Sequence, residues 1–336
     1  MIDRRIFVRN AASLLVLTPL GGCGKSGPPQ SQATRVGFVA KSLGNGFFDA
    51  VHRGADEAAK SLGAEIIFTG PTTPTAEGQI EVINALVAQQ VAAIAVSAND
   101  PDALVPALQR ALKRGIKVVS FDSAVDPKGR NLHVAASSEE LIGRTCAQLA
   151  ADLAPGGHGK VAVVSATPTS TNQNAWLGQM RKALASFPGL QDAGVVYGDD
   201  VADKSYRETV ALVKEHPDLA VIVSLSSVGL VAAAKAIEDQ GLTGKVLVTG
   251  LGLPSELVGY VHRGVVPRFA LGNPVDLGYA TTEVAVRLAR GPAPQPGQPI
   301  PIGRLGSITF DATGFGAMAS PQIYDAGNVD QYAKSF

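Results

Sequence analysis

The stretch RVGFVAKSLGNGFFDAVHRGADEAAKSLGAEIIFTG, residues 35–70, decides the fold of this 336-residue chain. It begins with the short apolar segment Val36–Ala40, continues with a helical pattern over Phe47–Leu62 and ends with a second strand-like segment, Glu65–Phe68. Short β-branched segments that alternate with helix-length patterns are typical of a parallel sheet covered by helices on both faces. We therefore predict an α/β fold that starts at this strand–helix–strand unit.

The same alternation continues along the chain and then restarts, which predicts two similar α/β lobes. In the first lobe the predicted elements are the helices Ala76–Gln89 and Pro101–Arg114, the latter with Asn99 and Asp100 as cap candidates, and the strands Ala92–Val96 and Lys117–Phe121. After the restart the predicted strands are Leu132–Ala135, Val161–Val164, Val195–Tyr197, Val221–Val223, Val246–Val248 and Arg268–Leu271. The predicted helices are Ser138–Leu153, Asn172–Phe187, Lys204–Glu215, Val228–Gln240, Pro254–Arg263 and Leu277–Arg290.

The N-terminal residues have the features of an export signal. A charged start is followed by an apolar run from Ala11 to Leu20 and by small residues before Cys23. The run is about ten residues long, which is short of the roughly 20 that a membrane-spanning helix needs. The paired arginines at positions 4 and 5 resemble the twin-arginine export motif, and the segment LGGC that ends at Cys23 resembles a bacterial lipobox.

We therefore expect residues 1–22 to be a signal peptide and Cys23 to become a lipidated first residue that anchors the protein to a membrane, in the periplasm or on the cell surface. An ordinary signal with a chance cysteine is the alternative. Residues 23–34 are rich in Gly, Pro, Ser and Gln, and this composition predicts a flexible tether.

Composition and motifs argue against several other classes of function. The formal net charge is 0, and it becomes −2 when residues 1–22 are removed, so nothing points to nucleic acid as a partner. Cys146 lies in an apolar helical pattern and is expected to be a buried hydrophobic residue. The segment Gly44–Gly46 lacks the third glycine of a dinucleotide fingerprint, and the five histidines are scattered without metal-ligand spacing. We expect no enzymatic activity, no cofactor and no metal.

Polar and aromatic residues follow the predicted strands, at the edge where open parallel sheets bind ligands. They offer amides, hydroxyls, one carboxylate, one ammonium group and aromatic faces, which together suit a neutral sugar or polyol. The candidate site residues are Lys41, Asn45, Phe47, Phe48, Asp122, Asn172, Gln173, Trp176, Ser227, Leu251 and Asn273.

Each candidate has a chemical rationale and an ordinary alternative. Asp122 can accept hydrogen bonds from two adjacent sugar hydroxyls, and such charge-assisted bonds are about twice as strong as neutral ones; it could instead cap a helix or a turn. Lys41 could be a solvated surface lysine. One of Phe47 and Phe48 is expected in the core, since adjacent helix residues point apart. Trp176 could serve packing alone.

From about Arg35 to Phe336 the chain resembles the type I periplasmic sugar-binding proteins of bacterial ABC importers, and the rhamnose-binding and autoinducer-2-binding members most of all. The resemblance implies two similar doubly wound parallel-sheet lobes joined by a hinge. It implies an N-terminal lobe of residues 35–134 plus 274–304 and a C-terminal lobe of residues 135–273 plus 305–336. The matching segments are KSLGNGFF (41–48), GPTTPTAEGQIEVIN (70–84), SANDPDALVPA (97–107), FDS (121–123), TNQNAW (171–176) and TGLGLP (249–254).

The resemblance also implies a role. A receptor of this kind closes its lobes on a sugar, and the closed form docks on a membrane permease. By position, Lys41, Asp122, Asn172 and Gln173 match the family's ligand contacts, and Asn45, Phe47 and Phe48 fall on the loop that contacts sugars in ribose-binding relatives. We expect a monomer without cofactors.

The expected ligand is rhamnose or a similar deoxysugar, because the autoinducer-2 binders carry Asp where this chain has Asn172. Autoinducer-2 or another sugar or polyol remains the alternative. Leu225 and Gly272 stand where many rhamnose-type members have Pro and Trp, so the exact sugar stays open.

A transcription regulator of the same fold would need a DNA-binding headpiece, and residues 1–34 resemble an export signal and tether instead. An enzyme with a cleft active site finds no supporting motif.

Overall fold

A computed structural model describes residues 33–336 of the chain. The predicted signal peptide, the lipidation residue Cys23 and nearly all of the predicted tether lie outside the described residues. Within the described range, no helix combines the length and the apolar character that crossing a bilayer requires.

The first lobe is an all-parallel sheet with helices on both faces. Its strands, numbered along the chain, are β1 (Thr34–Val39), β2 (Ala64–Thr69), β3 (Ala93–Val96), β4 (Lys117–Phe121), β5 (Leu132–Ala135) and the late strand β13 (Phe315–Ala317), in the order β13-β5-β4-β3-β1-β2. Its helices are α1 (Gly46–Leu62), α2 (Ala76–Ala88), α3 (Val105–Lys113) and α9 (Pro274–Arg290). One apolar core lies on the side of α1 and α9, and a second lies on the side of α2 and α3.

Two glycines allow α1 and α9 to cross closely. A Cβ atom added at Gly54 would collide with the backbone carbonyl of Val275, and one added at Gly278 would collide with that of Val51. The close crossing helps to bury most of α9 and attaches a segment from late in the chain to the first lobe.

The second lobe repeats the arrangement. Its parallel sheet has the order β7-β6-β8-β9, formed by β6 (Gly159–Ser165), β7 (Leu190–Tyr197), β8 (Leu219–Ser224) and β9 (Leu247–Gly250). Next to it, β10 (Arg268–Leu271) pairs antiparallel with β14 (Gln322–Asp325). The helices are α4 (Glu139–Leu153), α5 (Thr171–Leu184), α6 (Ala202–Glu215), α7 (Ser227–Asp239), α8 (Pro254–His262) and α10 (Val329–Tyr332).

The last part of the chain corrects the predicted lobe boundary. After the hairpin of β11 (Pro299–Pro301) and β12 (Ser307–Thr309), strand β13 pairs with β5 in the first sheet, although residues 305–336 were predicted in the second lobe. The reason is apolar burial, since Ile308 and Phe310 are buried in the first-lobe core. The chain returns to the second lobe only at β14.

Two further differences have local causes. Helix α3 begins at Val105 instead of Pro101, because Asp100 Oδ1 accepts hydrogen bonds from the amides of Asp102 and Ala103 and holds a separate turn. Strand β7 begins at Leu190 instead of Val195. It is an edge strand, and exposed polar residues hide its start from an apolar pattern. Cys146 is buried as predicted, and burial raises the pKa of its thiol to about 12.

Candidate functional site

A cavity that is partly open to solvent lies where the carboxyl ends of the two sheets face each other, and the space among its lining residues is about 430 Å³. Ten of the eleven predicted site residues line it: Lys41, Asn45, Phe47, Phe48, Asp122, Asn172, Gln173, Trp176, Ser227 and Leu251. The other lining residues are Asp200, Leu225, Ser226 and Leu271.

The eleventh candidate, Asn273, lies apart from this cavity. Its side chain is exposed and caps α9, because its Oδ1 accepts hydrogen bonds from the amides of Val275 at 2.9 Å and Asp276 at 3.2 Å. An asparagine just after a strand and just before Pro274 fits both a ligand contact and a helix cap, and the structure assigns it to the cap.

Asp122 follows β4 at the floor of the cavity. Its φ of 55° is in the left-handed region, which aspartate tolerates better than most residues. Oδ2 accepts a hydrogen bond from Ser97 Oγ at 2.8 Å, and Oδ1 accepts one from Asn172 Nδ2 at 2.9 Å. Burial raises the pKa of the Asp122 carboxyl. The charge of Lys41 and these two bonds oppose the rise, and the charge of Asp200 adds to it.

Lys41 is buried, with only 4% of its surface exposed, so it is not a solvated surface lysine. From the first lobe its Nζ donates to Ser170 Oγ at 3.0 Å and to Asn172 Oδ1 at 3.5 Å, and both acceptors belong to the second lobe. The ammonium group therefore forms part of the contact between the lobes.

Asn172 and Gln173 begin α5, and each uses part of its amide within the protein. Asn172 Oδ1 accepts from the amide of Gln173 at 2.8 Å and from Ser170 Oγ at 3.0 Å. Gln173 Oε1 accepts from Ser165 Oγ at 2.8 Å and from the amide of Ala166 at 2.7 Å, so it holds the end of β6. The Gln173 oxygen is thereby occupied, and Nε2 is the group it has left to offer a ligand.

The aromatic residues divide as the helix geometry predicts. Phe48 is buried in the first-lobe core, where its ring lies 6.3 Å from that of Phe121. Phe47 is only partly buried, packs against apolar residues of both lobes and meets Phe48 edge-on at 5.3 Å. Phe47 and the partly buried Trp176 are thus the aromatic faces that can cover an apolar side of a ligand.

A second cavity lies behind Asp122, Asn172 and Trp176 and extends to His133 and Phe315. His133 is buried, and this burial lowers the pKa of its imidazole to about 3, so the ring is neutral at physiological pH. Ser120 Oγ lies 2.9 Å from His133 Nδ1. Nowhere in residues 33–336 do histidine, cysteine, aspartate or glutamate side chains form a group suited to a metal ion.

Four of the lining residues are not among the predicted site residues. Asp200 comes just beyond β7, whereas the predicted site residues come from the ends of other strands. Its pattern, Gly198 and two aspartates after an apolar segment, was a usable signal. Leu225, Ser226 and Leu271 lie at the ends of β8 and β10, and of these three the sequence analysis notes only Leu225, as a departure from the resemblance and not as a site residue.

The loop before α5 adds further contacts between the lobes. Thr169 Oγ1 donates to the carbonyl of Asn99 at 3.2 Å, and Thr171 Oγ1 donates to the carbonyl of Ala124 at 3.1 Å. Together with Ser170 and Asn172, these residues fasten the start of α5 to the first lobe.

Comparison with known proteins gives a consistent result. A family model described as "Periplasmic binding protein domain" matches residues 36–293. A solute-binding protein of an ABC transporter from Clostridium phytofermentas, solved with bound L-rhamnose, is 34% identical. That likeness covers 90% of this chain and 99% of the other, with a TM-score of 0.86.

Two further relatives show the spread of ligands. LsrB from Clostridium saccharobutylicum, solved in complex with AI-2, is 25% identical. The likeness covers 89% of this chain and 99% of that one, with a TM-score of 0.84. The D-ribose/D-allose-binding protein of Pseudomonas aeruginosa is 26% identical over 265 residues, which are 74% of this chain and 80% of the relative.

Proposed function

Because this chain belongs to the periplasmic binding protein family, we propose that it captures rhamnose or a similar deoxysugar by closure of its two lobes. The general role of the protein follows from its membership of this family. The chain is a sugar-binding receptor of an ABC transporter, it acts outside the cytoplasm, and its homologues are transport proteins rather than enzymes.

The observation that carries the deoxysugar proposal is the division of the cavity into a polar and an apolar part. Asp122, Lys41 and Asn172 supply the acceptors and donors that sugar hydroxyls need. In the second lobe, the buried leucines Leu225, Leu251 and Leu271 line the same cavity. A methyl group is well placed against leucines, whereas a hydroxyl buried there without a partner costs about 1–3 kcal/mol.

A matched pair of sugars tests this proposal. L-rhamnose carries a methyl group where L-mannose carries a hydroxymethyl group, and the two are otherwise the same. Calorimetric titration should show L-mannose binding at least about tenfold more weakly, as expected for one unpaired hydroxyl. Equal affinity for the two sugars would refute the deoxysugar assignment and leave sugar binding intact.

The alternative ligand is autoinducer-2 or another sugar or polyol. It is supported by the likeness to the AI-2 complex and opposed by Asn172, which replaces the acidic residue expected for that branch. Titration of autoinducer-2, D-ribose and D-allose beside L-rhamnose decides among them. A preference for any of the three over L-rhamnose would replace the proposal.

Lobe closure is the proposed means of capture, and the closed form is the one expected to dock on the permease. A ligand that binds the closed form more tightly than the open form shifts the equilibrium towards the closed form, and the ratio of the two affinities sets the size of the shift. The cognate sugar should therefore compact a monomeric protein in small-angle scattering and raise its melting temperature. Unchanged scattering at saturating sugar would contradict a hinge mechanism.

We further propose that Cys23 is lipidated after export. Cys23→Ser should move the protein from the membrane to soluble fractions. Replacement of Arg4 and Arg5 by lysine should retain the protein in the cytoplasm if export uses the twin-arginine route, and normal export of that double variant would favour the general secretory route.

A further inference from the structure

Asp200 places a second carboxylate in the cavity, contributed by the second lobe. Its Oδ1 is buried, and no hydrogen-bond donor within residues 33–336 reaches it. A buried carboxylate oxygen without a donor is unfavourable, because its lost hydration is not replaced. A group of this kind that faces a ligand cavity is positioned to accept a hydrogen bond from the ligand.

The loop after β7 carries two adjacent carboxylates, Asp199 and Asp200, whose surroundings differ. Both residues have left-handed backbone, with φ of 55° at Asp199 and 54° at Asp200. Asp199 Oδ2 accepts from Lys204 Nζ at 2.6 Å and is thereby paired outside the cavity. The amides of Gly198 and Asp199 donate to the carbonyls of Ser165 and Ala166, so the loop is fixed to the end of β6.

A left-handed backbone is compatible with aspartate at position 200, but within residues 33–336 the Asp200 Oδ1 atom has no hydrogen-bonded structural role. The N-cap of α6 is Val201, and that cap has no side-chain hydrogen bond. A turn-forming aspartate of this protein looks different, since Asp311 Oδ1 accepts from the amides of Thr313 and Phe315. Asp200 Oδ1 accepts from no backbone amide in the described residues.

We propose that Asp200 is a specificity-determining residue that accepts a hydrogen bond from a hydroxyl of the bound sugar, opposite the hydroxyls held by Asp122. The inference rests on the proposed sugar-binding function and deepens it. The favoured ligands are sugars with hydroxyl donors toward both lobes, because each carboxylate then gains a charge-assisted bond.

The same arrangement links sugar binding to closure. The charge of Asp200 contributes to the raised pKa of the Asp122 carboxyl, so the two charges act on each other across the cavity. Like charges on opposite lobes disfavour an empty closed form, and sugar hydroxyls that donate to both carboxylates offset the repulsion. The sugar thus offsets the repulsion between the two carboxylates with a hydrogen bond to each of them.

The test uses two variants that suit left-handed backbone, Asp200→Asn and Asp200→Gly, since asparagine and glycine both adopt a positive φ. Asp199→Asn is the matched control, because it removes the adjacent carboxylate that is paired with Lys204. The full chain and each variant are titrated calorimetrically with L-rhamnose and with its 2-, 3- and 4-deoxy analogues. Melting curves establish that each variant is folded.

We expect Asp200→Gly to bind L-rhamnose at least about tenfold more weakly, Asp200→Asn to lose less, and Asp199→Asn to bind like the unaltered protein. One deoxy analogue should bind Asp200→Gly and the unaltered protein equally, because the hydroxyl it lacks is the one that donates to Asp200. A structural role would instead weaken all analogues alike.

The outcomes separate this inference from the proposed function. If the unaltered protein binds no sugar, the proposed function fails. If it binds L-rhamnose or another sugar and Asp200→Gly binds that sugar equally well, only the role of Asp200 is overturned. A uniform loss across all the analogues would also overturn it.

Discussion

Asn172 and Asp122 connect the two lobes directly, since Asn172 Nδ2 donates a hydrogen bond to Asp122 Oδ1 at 2.9 Å. The other end of the same amide, Oδ1, accepts from Lys41 Nζ at 3.5 Å. An asparagine is suited to this position because it presents a donor to a carboxylate and an acceptor to an ammonium group. The contact is therefore specific for an amide, which can be tested by a change of charge alone.

Asn172→Asp should weaken L-rhamnose binding by more than about tenfold near neutral pH, because it sets a carboxylate against Asp122 in place of a donor. The loss should shrink in mildly acidic buffer, where one proton shared by the two carboxyls restores a hydrogen bond. Calorimetry across this pH range measures both effects. Asn174→Asp is the control, since the Asn174 amide bonds the carbonyl of Pro168 on an exposed surface. Unchanged affinity of Asn172→Asp at neutral pH would refute the prediction.

Asp122 should lower the stability of the sugar-free protein at neutral pH. Its folded-state pKa is raised above the ordinary 3.8 by burial, so the fold disfavours the charged form. The destabilisation is absent below 3.8, grows as pH rises through the raised pKa and is complete above it. Asp122→Asn, which keeps the positive-φ backbone, should therefore melt at a higher temperature than the unaltered protein near neutral pH.

The same variant should lose sugar affinity, because it exchanges charge-assisted bonds for neutral ones. Melting curves from neutral to acidic pH provide the check, and the difference between the two proteins should narrow as pH falls. A difference in melting temperature that is constant with pH would show that the Asp122 charge does not destabilise the folded protein. A variant that is less stable than the unaltered protein near neutral pH would show the same.

Much of the fold was predictable because apolar periodicity reports burial directly. The strands Lys117–Phe121, Leu132–Ala135 and Arg268–Leu271 begin and end as predicted. Apolar periodicity does not predict a strand whose residues are exposed, or a short strand whose pairing partner is distant in the sequence. The polar start of β7 is exposed at a sheet edge, and β13 is a three-residue strand whose partner lies far away in the sequence.

The members of the candidate site could be predicted where the ends of the strands could be predicted from the sequence. Lys41, Asp122 and Asn172 meet at one cavity because the carboxyl ends of parallel strands share an edge. What a side chain does there depends on its neighbours in space. Sequence does not reveal that Asn273 caps α9 or that Asp200 Oδ1 lacks a donor in the described residues.

Gln173 should contribute to stability as well as to binding. Its Oε1 accepts from Ser165 Oγ and from the amide of Ala166, both buried, and each neutral bond contributes about 1 kcal/mol. Gln173→Ala should therefore lower the free energy of unfolding by about 2 kcal/mol, measured by urea denaturation. Gln191→Ala, at an exposed position on β7, is the control and should change it little. A fully stable Gln173→Ala variant would show that these two bonds are dispensable.

The threonines before α5 should set how readily the lobes close. Thr169 and Thr171 donate to first-lobe carbonyls and do not line the 430 Å³ cavity, so we expect them to influence affinity through closure. Thr169→Val with Thr171→Val keeps the side-chain shape and removes both donors, which leaves two carbonyls without these partners in the closed form. Each neutral bond contributes about 1 kcal/mol, so the double variant should bind L-rhamnose roughly ten- to thirtyfold more weakly.

Small-angle scattering should show this double variant more open than the unaltered protein without sugar and equally compact at saturating sugar, because the ligand can still draw the lobes together. Thr145→Val, at a partly buried position on α4, is the control for the substitution itself. If the double variant binds like the unaltered protein, the hydrogen bonds to Asn99 and Ala124 do not stabilise closure, and the contacts of Lys41 and Asn172 suffice to hold the lobes together.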